Sequence, residues 1–271
     1  MAGGDQLQER NDQLVSLLGA DFQLRYEPNF AWKSACTQYQ ALCALRGFWP
    51  MGPQIHATQA DYVVDIACNY HLANYHACVH HYDRLIQYVE FDGVNDYLYR
   101  PNTPQFDITG AEVYVATPGL TLGGWFYVED DAVDQCLMSK DAGAPNKSYA
   151  LYASGSVVND PIQFFISDDG TNTDNVSYDG YVVDEWHYIV GRFNDADAGA
   201  ELAIWYDETK TTAATARDSI AVAAGDFRLG SIQSVGDPLN GRASLCFICA
   251  SALSDTQIWS LFQQTRAMFG V

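Results

Sequence analysis

The residues most capable of metal binding or chemical reaction lie between positions 68 and 81. Four histidines and two cysteines occur there, namely Cys68, His71, His76, Cys78, His80 and His81. If residues 76–80 form a strand, His76, Cys78 and His80 point to one face and could bind an ion such as Zn²⁺. Successive side chains on one face of a strand are about 6.5 to 7 Å apart, so a shared ion requires a bent strand. The segment therefore leaves a zinc site open, but it favours a strand with exposed and half-buried histidines.

Paired carboxylates form a second group of candidates. They are Asp130 with Asp131, Asp168 with Asp169, Asp195 with Asp197, and Asp207 with Glu208. Loop carboxylates and carbonyls suit Ca²⁺, which takes about six to eight oxygen ligands. Tight turns also recruit Asp for local hydrogen bonds, and no run has the spacing of an EF-hand loop. For each pair the sequence favours a turn over a cation site.

The patterns typical of catalytic sites are missing from the sequence. A retaining glycosidase needs two carboxylates about 5 to 5.5 Å apart, but Glu185 and Glu201 have no partner carboxylate two residues away. There is also no Gly-x-Ser-x-Gly elbow, no phosphate-binding glycine loop and no His-Glu-x-x-His. We therefore predict a protein that is not an enzyme, with a glycoside hydrolase as a less favoured alternative.

Short runs rich in aromatic and β-branched residues predict consecutive strands, each bounded by Gly, Asp, Asn or Pro. The runs are residues 120–128, 148–152, 162–166, 185–193, 202–206, 226–230 and 243–250. Residues 252–262 change the period from two to about 3.6, and Ser254 with Gln257 forms a capping box. The chain therefore reads as an all-β domain that a short helix closes.

Four aromatic residues, Trp125, Trp186, Trp205 and Tyr206, could form a platform on which sugar rings stack. The alternation in residues 186–190 places Trp186 and Tyr188 on one face, together with Val190, and such a stripe is more often core than binding surface. We therefore predict that the tryptophans are core residues and that any carbohydrate binds through loops.

These motifs resemble the laminin-G-like, concanavalin-A-like jelly-roll family. The resemblance rests on Gly124-Trp125-Phe126, Ser139-Lys140, Tyr149 to Leu151, Trp186-His187, Leu229-Gly230 and Ala252 to Asp255, and upstream on residues 45–50 and 89–98 as strands. It extends over roughly residues 43 to 264 and implies an all-β, two-sheet antiparallel jelly roll with a short C-terminal helix. It also implies glycan or protein binding, with Ca²⁺ as a possible cofactor. Asp65 keeps an acidic position of the family's turn and joins His76, Cys78 and His80 as a candidate metal ligand, although the glycines of that turn are absent.

The N-terminal residues predict a helical arm, so we divide the chain into residues 1–42 and a jelly-roll domain of residues 43–271. Residues 5–18 have apolar side chains at helical spacing, whereas residues 30–45 fit either a helix or a strand. The apolar side chains predicted to anchor this arm to the sandwich or to another subunit are Leu7, Leu14, Leu17, Leu18, Phe22, Phe30 and Trp32.

Composition restricts the classes of partner. The 34 acidic and 14 basic residues give a net charge of -20, which opposes direct binding to nucleic acid or to an anionic membrane. The N-terminus lacks a signal peptide, and no stretch is apolar for the ~18 residues of a membrane helix. An odd set of seven cysteines predicts reduced thiols, and Cys246 with Cys249 should point to opposite faces of a strand as packing residues.

An adhesion-like sandwich without an export signal suggests a protein of a tailed bacteriophage, made in the host cytoplasm and carried in the virion. Residues 241–270 are also similar to jelly-roll proteins encoded among tailed-phage structural genes. We therefore predict a structural component that decorates the capsid or attaches to the tail. Its partners would be other virion proteins, a further copy of itself, for example in a trimer, and a host-surface glycan. The alternative is a Ca²⁺-dependent, lectin-like adhesion module.

Overall fold

The computed structural model describes residues 38–39, 42, 44–51, 62–68, 70–82, 86–112, 115–156, 159, 161–233 and 236–271. The predicted N-terminal helix and all seven anchoring side chains, from Leu7 to Trp32, lie outside these residues. Within them the chain is all-β apart from the helical residues Gln38 and Tyr39, one short 3₁₀ turn, Pro104–Phe106, and one helix, α1, at Asp255–Phe269. No helix among the described residues is long and apolar enough to cross a membrane.

In the part of the chain that the structure describes, sixteen strands form two antiparallel sheets of eight strands each. In chain order they are Leu45–Trp49 (β1), Tyr62–Val63 (β2), Leu72–Tyr75 (β3), Val79–Tyr82 (β4), Gln87–Asp92 (β5), Tyr97–Arg100 (β6), Leu120–Val128 (β7), Gln135–Asp141 (β8), Lys147–Ala153 (β9), Ile162–Ile166 (β10), Asp174–Tyr178 (β11), Trp186–Phe193 (β12), Leu202–Tyr206 (β13), Thr209–Ala213 (β14), Phe227–Leu229 (β15) and Asn240–Cys249 (β16). The first sheet has the order β14-β13-β12-β7-β16-β5-β4, with β1 also paired to β16. The second has the order β11-β10-β9-β8-β15-β6-β3-β2. The predicted all-β, two-sheet class is confirmed.

The two sheets pack face to face over one apolar core, because alternate residues of each strand point inward. Leu122 and Phe126 of β7 enter this core from the first sheet, and Leu151 of β9 enters it from the second. The sheets are close enough at Gly191 that an added Cβ atom would lie 2.5 Å from the ring of Phe164. The absence of a side chain at Gly191 thus permits the contact between β12 and β10.

Helix α1 covers a second apolar cluster on the outer face of the first sheet. It begins at the predicted capping box, in which Ser254 accepts a hydrogen bond from the backbone N–H of Gln257, and it ends at Gly270 with a φ of 80°. The indole of Trp125 stacks on Phe269 with ring centroids 4.2 Å apart. Both the helix and its N-terminal cap were predicted, but the helix extends beyond residue 262 to Phe269.

Two predicted strands differ from the structure. Residues 89–98 form two strands in different sheets, β5 and β6, because the carboxylate of Asp92 accepts hydrogen bonds from the N–H groups of Val94 and Asn95 and so builds a turn. Residues 76–80 are not one strand, since His76 and Ala77 have φ of 60° and 70° and form the turn between β3 and β4. This left-handed backbone leads the chain from β3 in the second sheet to β4 in the first sheet.

The five described cysteines are free thiols: Cys68, Cys78, Cys136, Cys246 and Cys249. Cys246 belongs to the core between the sheets and Cys249 to the cluster under α1. The prediction that these two residues point to opposite faces as packing residues is therefore confirmed. Burial raises the pKa of the Cys246 thiol well above its ordinary value, which keeps it in the neutral form.

Candidate functional site

A row of side chains crosses the outer face of the first sheet near one rim of the sandwich. Glu90 lies opposite Val79 and Arg242, Arg242 lies opposite Tyr127, and Tyr127 lies opposite Trp186. Paired residues of neighbouring strands point to the same face of a sheet. The row therefore joins β4, β5, β16, β7 and β12, and at about 4.8 Å per strand it is about 19 Å long.

Three half-buried aromatic rings form the apolar part of this surface. The ring centroid of Trp186 lies 5.7 Å from those of both Tyr88 and Tyr127, in edge-to-face contacts. On its other side Trp186 contacts Phe269 of α1 at 5.1 Å. We call Tyr88, Tyr127 and Trp186, together with Arg242, the aromatic patch. His81 of β4 stacks on the ring of Tyr88 with centroids 4.7 Å apart. The three rings of the patch are only half-buried, whereas α1 buries the neighbouring Trp125 completely.

Arg242 is the cation of the patch, and it is already paired. Its Nη2 donates to Glu129 Oε1 at 2.8 Å, and its Nε lies 3.7 Å from Glu90 Oε1. The guanidinium also lies over the ring of Tyr127, 4.5 Å from the centroid. Glu90 has a further partner, the ring of His81, at 2.5 Å. These contacts fix the plane of the guanidinium against the aromatic rings.

The row continues at the rim into a cavity of about 490 Å³. Asp92 and Asn240 form the next cross-strand pair beyond Glu90 and Arg242 on the same face, so they lie about 6.5 to 7 Å further along the strands. We call this cavity the acidic pocket, and its lining residues are Asp92, Gly93, Asp130, Ala132, Val133, Asp134, Ser156, Asp237, Pro238 and Asn240. Aromatic patch and acidic pocket thus form one continuous surface.

The carboxylates of the acidic pocket differ in protonation behaviour. Burial raises the pKa of Asp134, but hydrogen bonds from the side chains of Ser154 and Ser156 outweigh burial, so the net pKa is lowered. Burial raises the pKa of Asp237, and the hydrogen bond from Tyr152 opposes this only in part. Asp92 has a lowered pKa because three backbone N–H groups of its turn outweigh burial. Ionised carboxylates at the rim are good acceptors for hydroxyl groups of a ligand.

The combination of flat aromatic rings and oxygen acceptors indicates which ligands the surface can hold. Aromatic faces offer apolar contact, and nearby carboxylates and amides fix the orientation of polar groups. Sugars present C–H faces and hydroxyl groups together, so a short glycan that lies along the row could contact both. Flat hydrophobic groups without hydroxyls would leave the pocket carboxylates without ligand partners.

The structure does not gather the predicted metal ligands. His76 lies in the turn that leads from β3 to β4, His80 lies in β4, and the buried thiol of Cys78 donates to the carbonyl of Tyr75. Burial is the largest cause that raises the pKa of the Cys78 thiol far above its ordinary value, so the thiolate that zinc requires is disfavoured. In the described part of the chain, no three His, Cys, Asp or Glu side chains are placed so that they could hold one ion.

Asp65 has a structural role instead. Its Oδ1 accepts hydrogen bonds from the backbone N–H groups of Phe48, Ala67 and Cys68. Its Oδ2 accepts one from the N–H of Tyr70. The carboxylate thus holds a turn against β1, and four N–H donors already occupy the oxygens that a metal ion would need.

Most predicted acidic pairs serve in turns and ion pairs. Asp169 accepts hydrogen bonds from the N–H groups of Thr171 and Asn172, as a turn residue does. Asp207 binds Nδ1 of His187 at 2.7 Å, and Asp197 binds Arg192 at 3.0 Å. Of the predicted pairs, only Asp130 lines the acidic pocket.

The prediction that the tryptophans are core residues is confirmed for Trp125 and Trp205, and Tyr206 is buried as well. Trp186 is the exception, because it is half-buried at the edge of α1. Sequence reasoning missed Tyr88 and Tyr127 as partners of Trp186. Alternation along each strand could have indicated that these two face outward, but the register that joins them is not visible in the sequence.

No protein-family model matches the chain, and no curated protein matches it. Solved structures do. The receptor-binding domain of botulinum neurotoxin C/D mosaic serotype has a TM-score of 0.57 and 10% identity, over 81% of this chain and 51% of that chain. The binding domain of botulinum neurotoxin DC in complex with rat synaptotagmin II has a TM-score of 0.55 and 11% identity, over 82% and 52%.

A sialidase of Trypanosoma rangeli, solved in complex with sialic acid, has a TM-score of 0.58 and 13% identity, over 93% of this chain and 40% of that chain. The chain therefore spans about half the length of the neurotoxin binding domains it matches. At these identities the likeness concerns the fold alone, and it agrees with a β-sandwich of two antiparallel sheets.

Proposed function

We propose that this protein is a non-enzymatic binding module of the lectin-like jelly-roll type, and that its aromatic patch and acidic pocket together bind a glycan on a partner surface. One observation carries the proposal. Tyr88, Tyr127 and Trp186 form a half-exposed row on the outer face of a sheet and lead directly into a pocket of oxygen acceptors. Core packing does not require that three rings stay half-exposed beside such a pocket.

The structural neighbours support the same class of function. One is the receptor-binding domain of a botulinum neurotoxin, another is the binding domain of a botulinum neurotoxin in complex with rat synaptotagmin II, and a third is a sialidase in complex with sialic acid. They favour the lectin-like alternative over the virion role. Capsid or tail attachment, trimeric assembly and a location in the virion stay predictions, and the arm on which they depend lies outside the described residues.

A glycoside hydrolase is the second candidate, because the pKa of Asp134 is lowered while that of Asp237 is raised. Environments that push the pKa values of two carboxyls apart occur in acid and base pairs of glycosidases. Against this, Ser154 and Ser156 both donate to the Asp134 carboxylate, which leaves it less available as a base. We therefore propose binding without turnover.

The test is binding of the full chain to a glycan array, followed by titration of the best ligand with variants. Tyr127→Ala and Trp186→Ala should each weaken binding about tenfold or more, since each removes apolar contact area from the row. Tyr75→Ala is the matched control, because Tyr75 is 42% exposed in β3 of the second sheet, away from the patch. If the two patch variants bound the glycan with the same affinity as the Tyr75→Ala control, the proposal would be contradicted.

Two further arms of this experiment separate the alternatives. Binding with and without a chelator tests the predicted dependence on Ca²⁺. Release of reducing sugar from bound glycans tests hydrolysis, and turnover that Asp237→Asn abolishes would favour the hydrolase.

A further inference from the structure

The charges around the aromatic patch determine which glycans it can accept. The side chains of Glu90 and Glu129 are 34% and 28% exposed, and both contact Arg242, the cation within the patch. The two carboxylates and the guanidinium together carry a charge of about -1, without any charge on His81. The acidic pocket adds Asp92, Asp130, Asp134 and Asp237 at the same rim.

Arg242 also lacks the freedom to turn towards a ligand. Its guanidinium is held between Glu129 and Glu90 at its edges, and Tyr127 and Tyr88 lie 4.5 and 5.6 Å from it. Recognition of a carboxylate by arginine normally uses two parallel N–H donors of the planar fork. Here Glu129 already accepts from Nη2, so an anionic sugar that used this donor would compete with a protein carboxylate.

We infer that the surface formed by the aromatic patch and the acidic pocket selects neutral glycans and rejects those that carry a carboxylate or a sulfate group. The inference rests on the proposed function and specifies its ligand class. A neutral sugar places its C–H face on the rings and donates hydroxyl hydrogens to the carboxylates. A sialylated sugar brings a like charge to a surface of a chain whose net charge is -20.

The experiment compares matched pairs of glycans, each neutral oligosaccharide beside its sialylated form, for example lactose and sialyllactose. The neutral member should bind at least about tenfold more tightly at low ionic strength, a ratio that corresponds to about 1.4 kcal/mol. High salt should narrow the ratio, because screening weakens repulsion between exposed charges.

Variants identify the groups responsible. Glu129→Gln removes one negative charge while its amide oxygen can still accept from Nη2 of Arg242, so it should narrow the neutral-to-sialylated ratio at least about threefold. Asp195→Asn removes the same charge from an exposed residue beyond the other end of β12, more than about 20 Å from Trp186, and should leave the ratio unchanged.

Each outcome has a distinct meaning. Preference for the neutral members, narrowed by Glu129→Gln alone, supports the inference. Equal or tighter binding of the sialylated members overturns it while the proposed glycan binding stands. Binding of neither member, across a panel of pairs, overturns the proposed function and the inference together.

Discussion

Asp96 provides the sharpest test of the electrostatics at the rim of the acidic pocket. The residue is 5% exposed, and its Oδ1 is buried without a hydrogen-bond partner among the described residues. Its backbone N–H donates to Asp92 Oδ1, so two carboxylates share one short turn. Burial first, and the nearby charge of Asp92 second, raise the pKa of Asp96 to about 6.

This raised pKa makes Asp96 a destabilising group at neutral pH. Because the pKa in the folded chain lies above the ordinary value near 4, its contribution to stability is fully present below about pH 4 and is lost as pH rises through about 6. A difference of about two units corresponds to about 2.7 kcal/mol. An Asn side chain at position 96 buries an amide that lacks some of its hydrogen-bond partners, which costs about 1 kcal/mol of stability. We therefore expect Asp96→Asn to stabilise the fold by about 1 to 2 kcal/mol at pH 7.5.

The assay is urea unfolding of wild type and Asp96→Asn, followed by fluorescence, at pH 4.5 and at pH 7.5. At pH 4.5 the two proteins should differ by less than about 0.5 kcal/mol. The wild-type carboxyl is then ionised mainly in the unfolded chain, which costs about 1 kcal/mol and so matches the cost of the buried amide. The difference between the two proteins removes the titration of all other groups. Asp195→Asn, which also removes one charge but at an exposed site, should show no such dependence. A variant that is less stable than wild type at pH 7.5 would refute the argument, because Asp96 would then have a favourable ionic partner.

Two further variants test the packing that positions the site. Lys140→Met should destabilise the fold by about 3 to 5 kcal/mol, measured by urea unfolding. The fully buried Nζ of Lys140 lies 2.9 Å from Asp107 and donates to the carbonyls of Ala223 and Gly225. In the variant these three groups lose that partner. Lys147→Met, at a half-exposed site, is its control. Gly191→Ala should lower the free energy of unfolding by about 1 to 3 kcal/mol through the clash with Phe164. Phe164→Leu in the same chain should recover part of this loss. If the effects of the two substitutions on stability were strictly additive, the contact would be contradicted.

Local patterns in the sequence predicted the elements whose signals are local. Residues 120–128 were predicted as a strand and form β7, and the run that begins at residue 185 forms β12 from Trp186. Ser254 and Gln257 fixed the start of α1 because a capping box needs only neighbouring residues. Such signals depend on alternation and capping within about ten residues, so they can be recognised without knowledge of the fold.

Two turns were the source of error. His76 and Ala77 adopt a left-handed backbone conformation, although neither residue type predicts such a turn as an Asn-Gly pair would. The turn separates His76 and Cys78 from the strand that carries His80, and with it the single-strand zinc geometry is lost. In the same way the turn that Asp92 builds sends β5 and β6 into opposite sheets.

The aromatic patch could not be predicted because its members are joined by register alone. Tyr88, Tyr127, Trp186 and Arg242 come from four strands that are far apart in the chain and adjacent in the sheet. A shift of one residue in any strand would turn its side chain into the core, so the site exists only once all pairings are fixed.

The end of α1 decides where core stops and binding surface begins. Along β12 the helix passes from Tyr188, which contacts Phe262, to Trp186, which contacts Phe269. Gly270 then ends it with a left-handed backbone that a glycine adopts without steric cost. One further helical turn would advance about 5.4 Å, close to the spacing between the row of Trp125 and the row of Tyr127, and would cover the patch. The same apolar stripe of the sheet therefore serves as core beneath the helix and as a candidate glycan surface beyond its last residue.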